Sequence, residues 1–144
     1  MAVITIFSGS YCRAEEVAKM VAQRLGYGCI GEELLEEAAN LYRVPRERLK
    51  RVMHGPPSVF SKFTHEKVRN VAYIRATLAR YVKGNNIVYH GFAGHLVPRD
   101  ITHILRVCLV ASQEYRAALS MRSEGISEKE AQRFIRRDDN ECRE

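Results

Sequence analysis

No stretch of this sequence is apolar for the roughly 18–20 residues that a membrane-spanning helix requires, so no membrane partner is expected. A secretory leader is not expected either, because the apolar run Ala2–Phe7 is too short for one and has no basic flank. The four cysteines, Cys12, Cys29, Cys108 and Cys142, show neither C-x-x-C spacing nor a histidine at metal-ligand spacing, and no metal site is expected. Cys108 lies in an apolar run and reads as a small core residue. These absences point to a reduced, cytoplasmic setting. Low-complexity tracts, internal repeats and a domain linker are also lacking, and 144 residues suit a single domain, 1–144, with a proper core.

What is present is an ordinary globular composition, 46% hydrophobic and 28% charged, with a net charge of +6. Arg43, Arg46, Arg48, Lys50 and Arg51 form one basic cluster, and Arg133, Arg136 and Arg137 another. Such an excess favours phosphate-bearing partners, either nucleotides or nucleic acid. The first cluster contains Glu47 and no interleaved aromatic residue, so a solvated helix face is the better default there. Nucleic acid is the lesser expectation, and self-association into a homo-oligomer stays open.

The first 26 residues organise the chain. Ala2–Phe7 (AVITIF) has the composition of a buried strand. Ser8-Gly9-Ser10 breaks it, and Val17, Ala18, Val21, Ala22 and Leu25 are spaced for one helix face, which Gly26 stops. A buried strand, a loop of small residues and an amphipathic helix form the opening of a phosphate-binding βα unit. A working phosphate loop reads G-x-x-x-x-G-K-[ST]: glycines let backbone N–H groups close around phosphate oxygens, and Lys neutralises their charge. Here Gly9 stands as the first glycine, Ala14 falls near the second, Glu15 stands where Lys would be, and Glu16 replaces the Mg²⁺-holding hydroxyl. Tyr11, Cys12 and Arg13 carry a Cβ, which disfavours positive φ and close backbone approach. An ordinary capped βα turn, with Ser10 as N-cap, is therefore expected over an intact nucleotide loop.

Further along, Tyr27–Ile30 reads as a short edge strand, Glu32–Tyr42 as a helix, and Val44-Pro45 as the start of another reaching about Met53. Gly55-Pro56-Pro57-Ser58 marks a loop. The longest helix is expected from Thr64 to Lys83, with Val68, Val71, Ala72, Leu78, Ala79 and Val82 as its apolar set and Tyr73 and Tyr81 as partly buried packing residues. Asn86–Tyr89 and Ile104–Ala111 read as two more strands, Ser112 as the cap of a helix to about Ser123, and Ser127 with Glu130 as a capping box for a last helix to about Arg137. Strands alternating with helices give a parallel α/β sheet with right-handed crossovers, Ala2–Phe7 at its centre.

The runs Ile4–Tyr27, Asn86–Asp100 and Leu105–Ile135 resemble the cytidylate kinase-like family of P-loop nucleotide kinases. The similarity rests on Arg24-Leu25-Gly26-Tyr27, on Val88-Tyr89-His90-Gly91-Phe92-Ala93-Gly94-His95-Leu96, on Glu114-Tyr115-Arg116 with Met121-Arg122, and on Gly125–Ala131 (GISEKEA). The resemblance implies a three-layer P-loop kinase-like parallel sheet flanked by helices. It also implies transfer of the γ-phosphate of ATP, with Mg²⁺, to a nucleoside monophosphate. The departures are equally specific. Arg13, Ala14 and Glu15 stand where the family has a Gly-Gly pair and a basic residue, and Gly91-Phe92-Ala93 replaces Gly-Arg-Gly. The family's Asp-x-x-Arg becomes Asp139-Asn140-Glu141-Cys142, with Arg143 adjacent. Relatives run on for a further strand and helix beyond the equivalent of Glu144, so the C-terminal part of the fold is expected to be missing.

The candidate site residues follow. Ser8, Gly9, Ser10 and Arg13 are candidates for holding a nucleotide's phosphates, Arg13 as the main cation. His90, Gly91 and His95 flank the loop at a strand's C-terminal end, where open α/β sheets bind ligands; ligand contact and plain loop packing are both open for the histidines. Arg116 and Arg122 match family positions and are candidates to reach phosphates, a salt bridge with Glu114 or Glu124 being at least as much expected. No catalytic residue is assigned. The leading expectation is a kinase-like domain with weak or lost catalysis and a regulatory or nucleotide-sensing role. The rivals are an active kinase that needs ATP and Mg²⁺ and uses Arg13 for the missing Lys, and a nucleic-acid-binding module built on residues 43–51.

Overall fold

The computed structural model describes residues 2–54, 64–84 and 86–141. Its strands are β1 (Val3–Ser8), β2 (Gly28–Ile30), β3 (Ile87–His90) and β4 (Ile104–Leu109). Its helices are α1 (Ala14–Leu25), α2 (Glu33–Tyr42), α3 (Arg46–His54), α4 (Thr64–Gly84), α5 (Gln113–Glu124) and α6 (Glu128–Glu141), with a 3₁₀ turn at Phe92–Leu96. The sheet runs β2-β3-β1-β4, and every pairing is parallel. Val3 sits opposite Ile87 on one side and Ile104 on the other, so the three apolar runs expected to form the sheet do so, around β1.

Alternation along β1 builds the layers. Val3 faces one side, where Ile30, Tyr89 and Ile104 join Leu34, Leu35 and Ala38 of α2, Leu49 of α3, and Ile74, Leu78 and Val82 of α4. Ile4 and Ile6 face the other side and pack with Val88 against Ala18 and Ala22 of α1. Gly26 closes α1 in the left-handed region, φ 67°, as a C′ glycine does. A third, smaller cluster of Ala117, Ala131 and Ile135 joins α5 to α6. Both helices begin as expected: Ser112 accepts from the Tyr115 N–H at 3.2 Å, and Ser127 and Glu130 exchange the two bonds of a capping box. The Gly55–Ser58 loop lies outside the described residues.

Three expectations need correction. On α4 the buried face is Asn70, Ile74, Thr77, Leu78 and Val82, whereas Val68, Ala72 and Ala79 face solvent, Val68 with 64% of its surface exposed. A buried Thr and Asn hid the true phase, and Thr77 is tolerated because its hydroxyl bonds the Tyr73 carbonyl at 2.9 Å. Cys108 is exposed rather than in the core, because β4 is an edge strand with little laid over its outer part; Leu105 and Val110 beside it are exposed too. Lastly, α6 runs beyond Arg137 to Glu141. Tyr73 and Tyr81 do pack half-buried, the first stacked on Tyr42 at 4.2 Å and the second donating to Glu37.

The phase of α4 has a measurable consequence. Ile74→Ala should cost about 2–5 kcal/mol, the range for emptying a buried aliphatic site. Val68→Ala should stay within about 0.5 kcal/mol, as exposed changes do. Urea unfolding of the two variants, read by circular dichroism, separates this face from the one the sequence suggested.

Candidate phosphate-loop site

Parallel strands deliver their following loops to one edge of the sheet, and β1 delivers Gly9–Arg13 there. The loop takes a shape that its side chains do not favour. Tyr11 and Arg13 both have positive φ, 59° and 56°, contrary to the expectation drawn from their Cβ atoms. Each costs roughly 1–2 kcal/mol of backbone strain, so neighbouring contacts must hold them. For Tyr11 those contacts are an edge-on ring contact with Phe134, centroids 5.9 Å apart, and a hydroxyl bond to Glu124 at 3.0 Å.

Ser10 is not the N-cap of α1. Arg13 takes that place, and no side chain caps the helix. All three polar groups of Ser10 are instead engaged by α5 and α6. Its N–H and its hydroxyl both donate to Asp138 Oδ2, at 3.1 and 2.5 Å. Its carbonyl accepts from Arg116 Nε at 2.7 Å. The rest of the Arg116 fork closes on Asp139, Nη1 to Oδ2 at 2.9 Å and Nη2 to Oδ1 at 2.8 Å. Arg116 Nη2 also lies 3.9 Å from Asp138 Oδ2. The Arg116 side chain is only 8% exposed, and the hydrogen bond to Asp139 holds its proton more firmly than usual. Gly9 makes this possible by size: a Cβ there would come within 2.8 Å of the Arg116 guanidinium.

The charged residues at the start of α1 are exposed and paired. Arg13 bonds Glu16, and Glu15 bonds Lys19 at 2.6 Å. These partners hold both carboxyls below their ordinary range, the hydrogen bond being the main cause in each. Lys19 therefore offsets much of the negative charge that Glu15 brings to the loop.

The second group of candidates divides across the sheet. His90 lies on the face that α1 covers, close against Gly31 and near Glu15 and Glu33, whose carboxylates its charge would stabilise. Glu33 accepts its own backbone N–H and, at 2.8 Å, that of Gly31, and these two bonds, in that order, lower its pKa. His95 projects into solvent from the 3₁₀ turn, which packs toward α4. The two histidines thus do not converge. Gly91 adopts φ 141° and donates its N–H to Ile6 at 3.1 Å, where a side chain would collide with the Tyr89 hydroxyl. That hydroxyl, pushed up to about 12 mainly by burial, accepts the Ala93 N–H at 3.1 Å and fixes the loop after β3. Arg122 stands exposed on the last turn of α5, apart from the Arg116 cluster. Ser8 ends β1, half-buried, opposite Leu109.

The structure therefore brings Gly9, Ser10 and Arg116 together and adds Asp138 and Asp139, which sequence reasoning missed as site residues. A signal for them existed. Acidic residues at a helix C-terminus oppose the helix dipole, and α6 ends without a basic residue in its last turn. Such an arrangement is favourable only where a cation or N–H donor awaits the carboxylates.

A family model described as the cytidylate kinase-like family matches residues 3–144. The chain belongs to this family. Its fold is similar to that of an uncharacterized protein from Eubacterium ventriosum ATCC 27560, with TM-score 0.64 and 18% identity over 96% of this chain and 74% of that one. It is also similar to TT1252 from Thermus thermophilus, with TM-score 0.50 and 15% identity over 90% of this chain and 76% of that one. A search of curated proteins finds no match. Membership of the cytidylate kinase-like family supports a kinase-like, nucleotide-binding domain, and the four parallel strands are those of a P-loop kinase-like fold. No described helix is long and apolar enough to cross a membrane.

Removing Arg116 takes away charged hydrogen bonds worth about 1.5–3 kcal/mol, and the carboxylates it leaves, Asp138 and Asp139, are partly open to water. Arg116→Ala should therefore destabilise the fold by about that amount, whereas Arg122→Ala should change it by less than about 0.5 kcal/mol. Thermal and urea unfolding of the two variants measure the contrast.

Proposed function

We propose that this cytidylate kinase-like chain is a nucleotide-binding domain with weak or absent phosphoryl transfer and a regulatory or nucleotide-sensing role. The observation that carries the reading is the engagement of the loop by its own chain. The Ser10 N–H, which a phosphate oxygen would accept in a working loop, is donated to Asp138. Phosphoryl transfer depends almost wholly on positioning and on stabilising charge. Around Gly9–Arg13 the positioning donors of Ser10 are taken, and the charge on offer is that of Arg13, shared with Glu16.

Mg²⁺ and ATP, which the family implies, do not fit this donor set. A phosphate on Ser10 would meet the Asp138 carboxylate, and no lysine stands in the loop. Glu16, at the position of the metal-holding hydroxyl, is paired with Arg13. Arg13 remains the loop's own cation, exposed and reachable by an anion that competes with Glu16.

A phosphate-bearing small molecule is favoured over nucleic acid by the state of the basic segment. Arg46 pairs with Glu32 at 2.6 Å and Arg48 with Glu66 at 3.3 Å, so two of its cations are already neutralised by α2 and α4. A duplex or single strand would have to compete with those carboxylates for each contact.

Calorimetric titration with a panel of nucleoside mono-, di- and triphosphates, with and without Mg²⁺, tests the reading. Weak binding is expected, and Arg13→Ala should weaken it by about tenfold, the scale of one charge-assisted bond to an anion. Transfer from ATP to CMP should not exceed that of a loop-deleted control. Robust turnover abolished by Arg13→Ala would establish the active kinase instead.

A further inference from the structure

We propose that Asp138 and Asp139 are a built-in anion that occupies the Gly9–Arg13 loop and must be displaced before a phosphate group can bind there. This rests on reading the loop as the phosphate site, and it adds the means by which that site is closed.

The two carboxylates satisfy the same donors that a phosphate group would. A phosphate bound at such a loop accepts a backbone N–H, a hydroxyl and a guanidinium fork. Asp138 takes the first two from Ser10, and Asp139 takes the third, bidentate, from Arg116. Arg116 is thereby turned away from any ligand and clamps the Ser10 carbonyl with its remaining N–H. One guanidinium faces two carboxylates: Asp139 holds its fork, and Asp138 shares it at 3.9 Å while taking both Ser10 donors. An incoming phosphate carries more negative charge than Asp138 and competes for the same two donors.

The attachment of α6 suits such an exchange. Beyond the loop, α6 packs chiefly on α5 through Ala131, Ile135 and Ala117. The two helices meet at Gly125, φ 67°, and neither lies on the sheet as α1 or α4 does. The hairpin is therefore anchored to the α/β body at the Ser10–Arg13 loop, α6 through Asp138 and the ring of Phe134, α5 through Arg116, Tyr115 and Glu124. Displacing the two carboxylates frees α6 without emptying the sheet core. Ligand binding is thus coupled to the position of α6, the two states differing in which anion Ser10 and Arg116 hold.

The test uses inorganic pyrophosphate as probe at constant ionic strength. Asp138→Asn keeps the shape and an acceptor oxygen but removes the charge, so the fold should be retained. Calorimetry should give at least tenfold tighter binding to Asp138→Asn than to the unmodified chain, and tighter still to the Asp138→Asn/Asp139→Asn pair. In the unmodified chain, saturating pyrophosphate should speed hydrogen–deuterium exchange of the α6 backbone, residues 128–141. Equal affinity in all three proteins would overturn the built-in anion and leave the loop as a phosphate site. Slower or unchanged exchange of α6 on binding would overturn it likewise. Absence of binding in every variant would overturn both the built-in anion and the phosphate-loop reading.

Discussion

A guanidinium removed from water must be matched in charge and in every N–H, or the fold loses several kcal/mol. Among the described residues, Arg116 is the charged side chain in the buried set, and the C-terminal half of the molecule is arranged to match it. The carbonyl of Ser10 must turn inward, which sets the loop and helps hold Tyr11 and Arg13 at positive φ. Helix α6 must run on to Asp139, past the point where its apolar pattern ends. Gly9 must stay without a side chain. One buried charge thus ties together a loop, two helices and the end of the central strand.

Much of the fold was legible because apolar patterning and capping are local signals. The β-branched runs of β1, β3 and β4, the stop at Gly26, the Ser112 cap and the Ser127–Glu130 box all lie where short-range chemistry puts them. Polar burial was not legible in that way. Asn70 and Thr77 occupy core positions of α4, and their polarity shifted the inferred stripe onto Val68 and Ala79. Cys108 was misjudged because nothing in a strand's own residues says that it lies at the sheet edge. Ser10 has the chemistry of an N-cap, yet its hydroxyl goes to Asp138, far along the chain. A long-range polar pair leaves no period in the sequence, and only the misplacement of acids at a helix C-terminus hinted at it.

Kinship and local chemistry are separate findings. The cytidylate kinase-like pattern extends along residues 3–144 because sheet, crossovers and core are kept. A fold, however, fixes where a site stands rather than what it does. The sheet's loop-bearing edge gathers Gly9–Arg13, His90 and Gly91, and the side chain laid over Ser10 is the Asp138 carboxylate. His90 keeps to the α1 side near Glu33, and His95 stands apart on the turn toward α4, so the histidines contribute to separate surfaces.

The parallel pairing of β1 also sets the order in which the chain can fold. Val3 emerges first in synthesis, yet its partners Ile87 and Ile104 are made only after four helices have passed. Until then the most apolar strand of the protein has no ladder to join, and closing so long a loop is slow compared with forming a helix. Only α1, the next segment made, is at hand to shelter Ile4 and Ile6, through Ala18 and Ala22. The strand that later anchors the sheet therefore spends most of synthesis with its backbone unpaired.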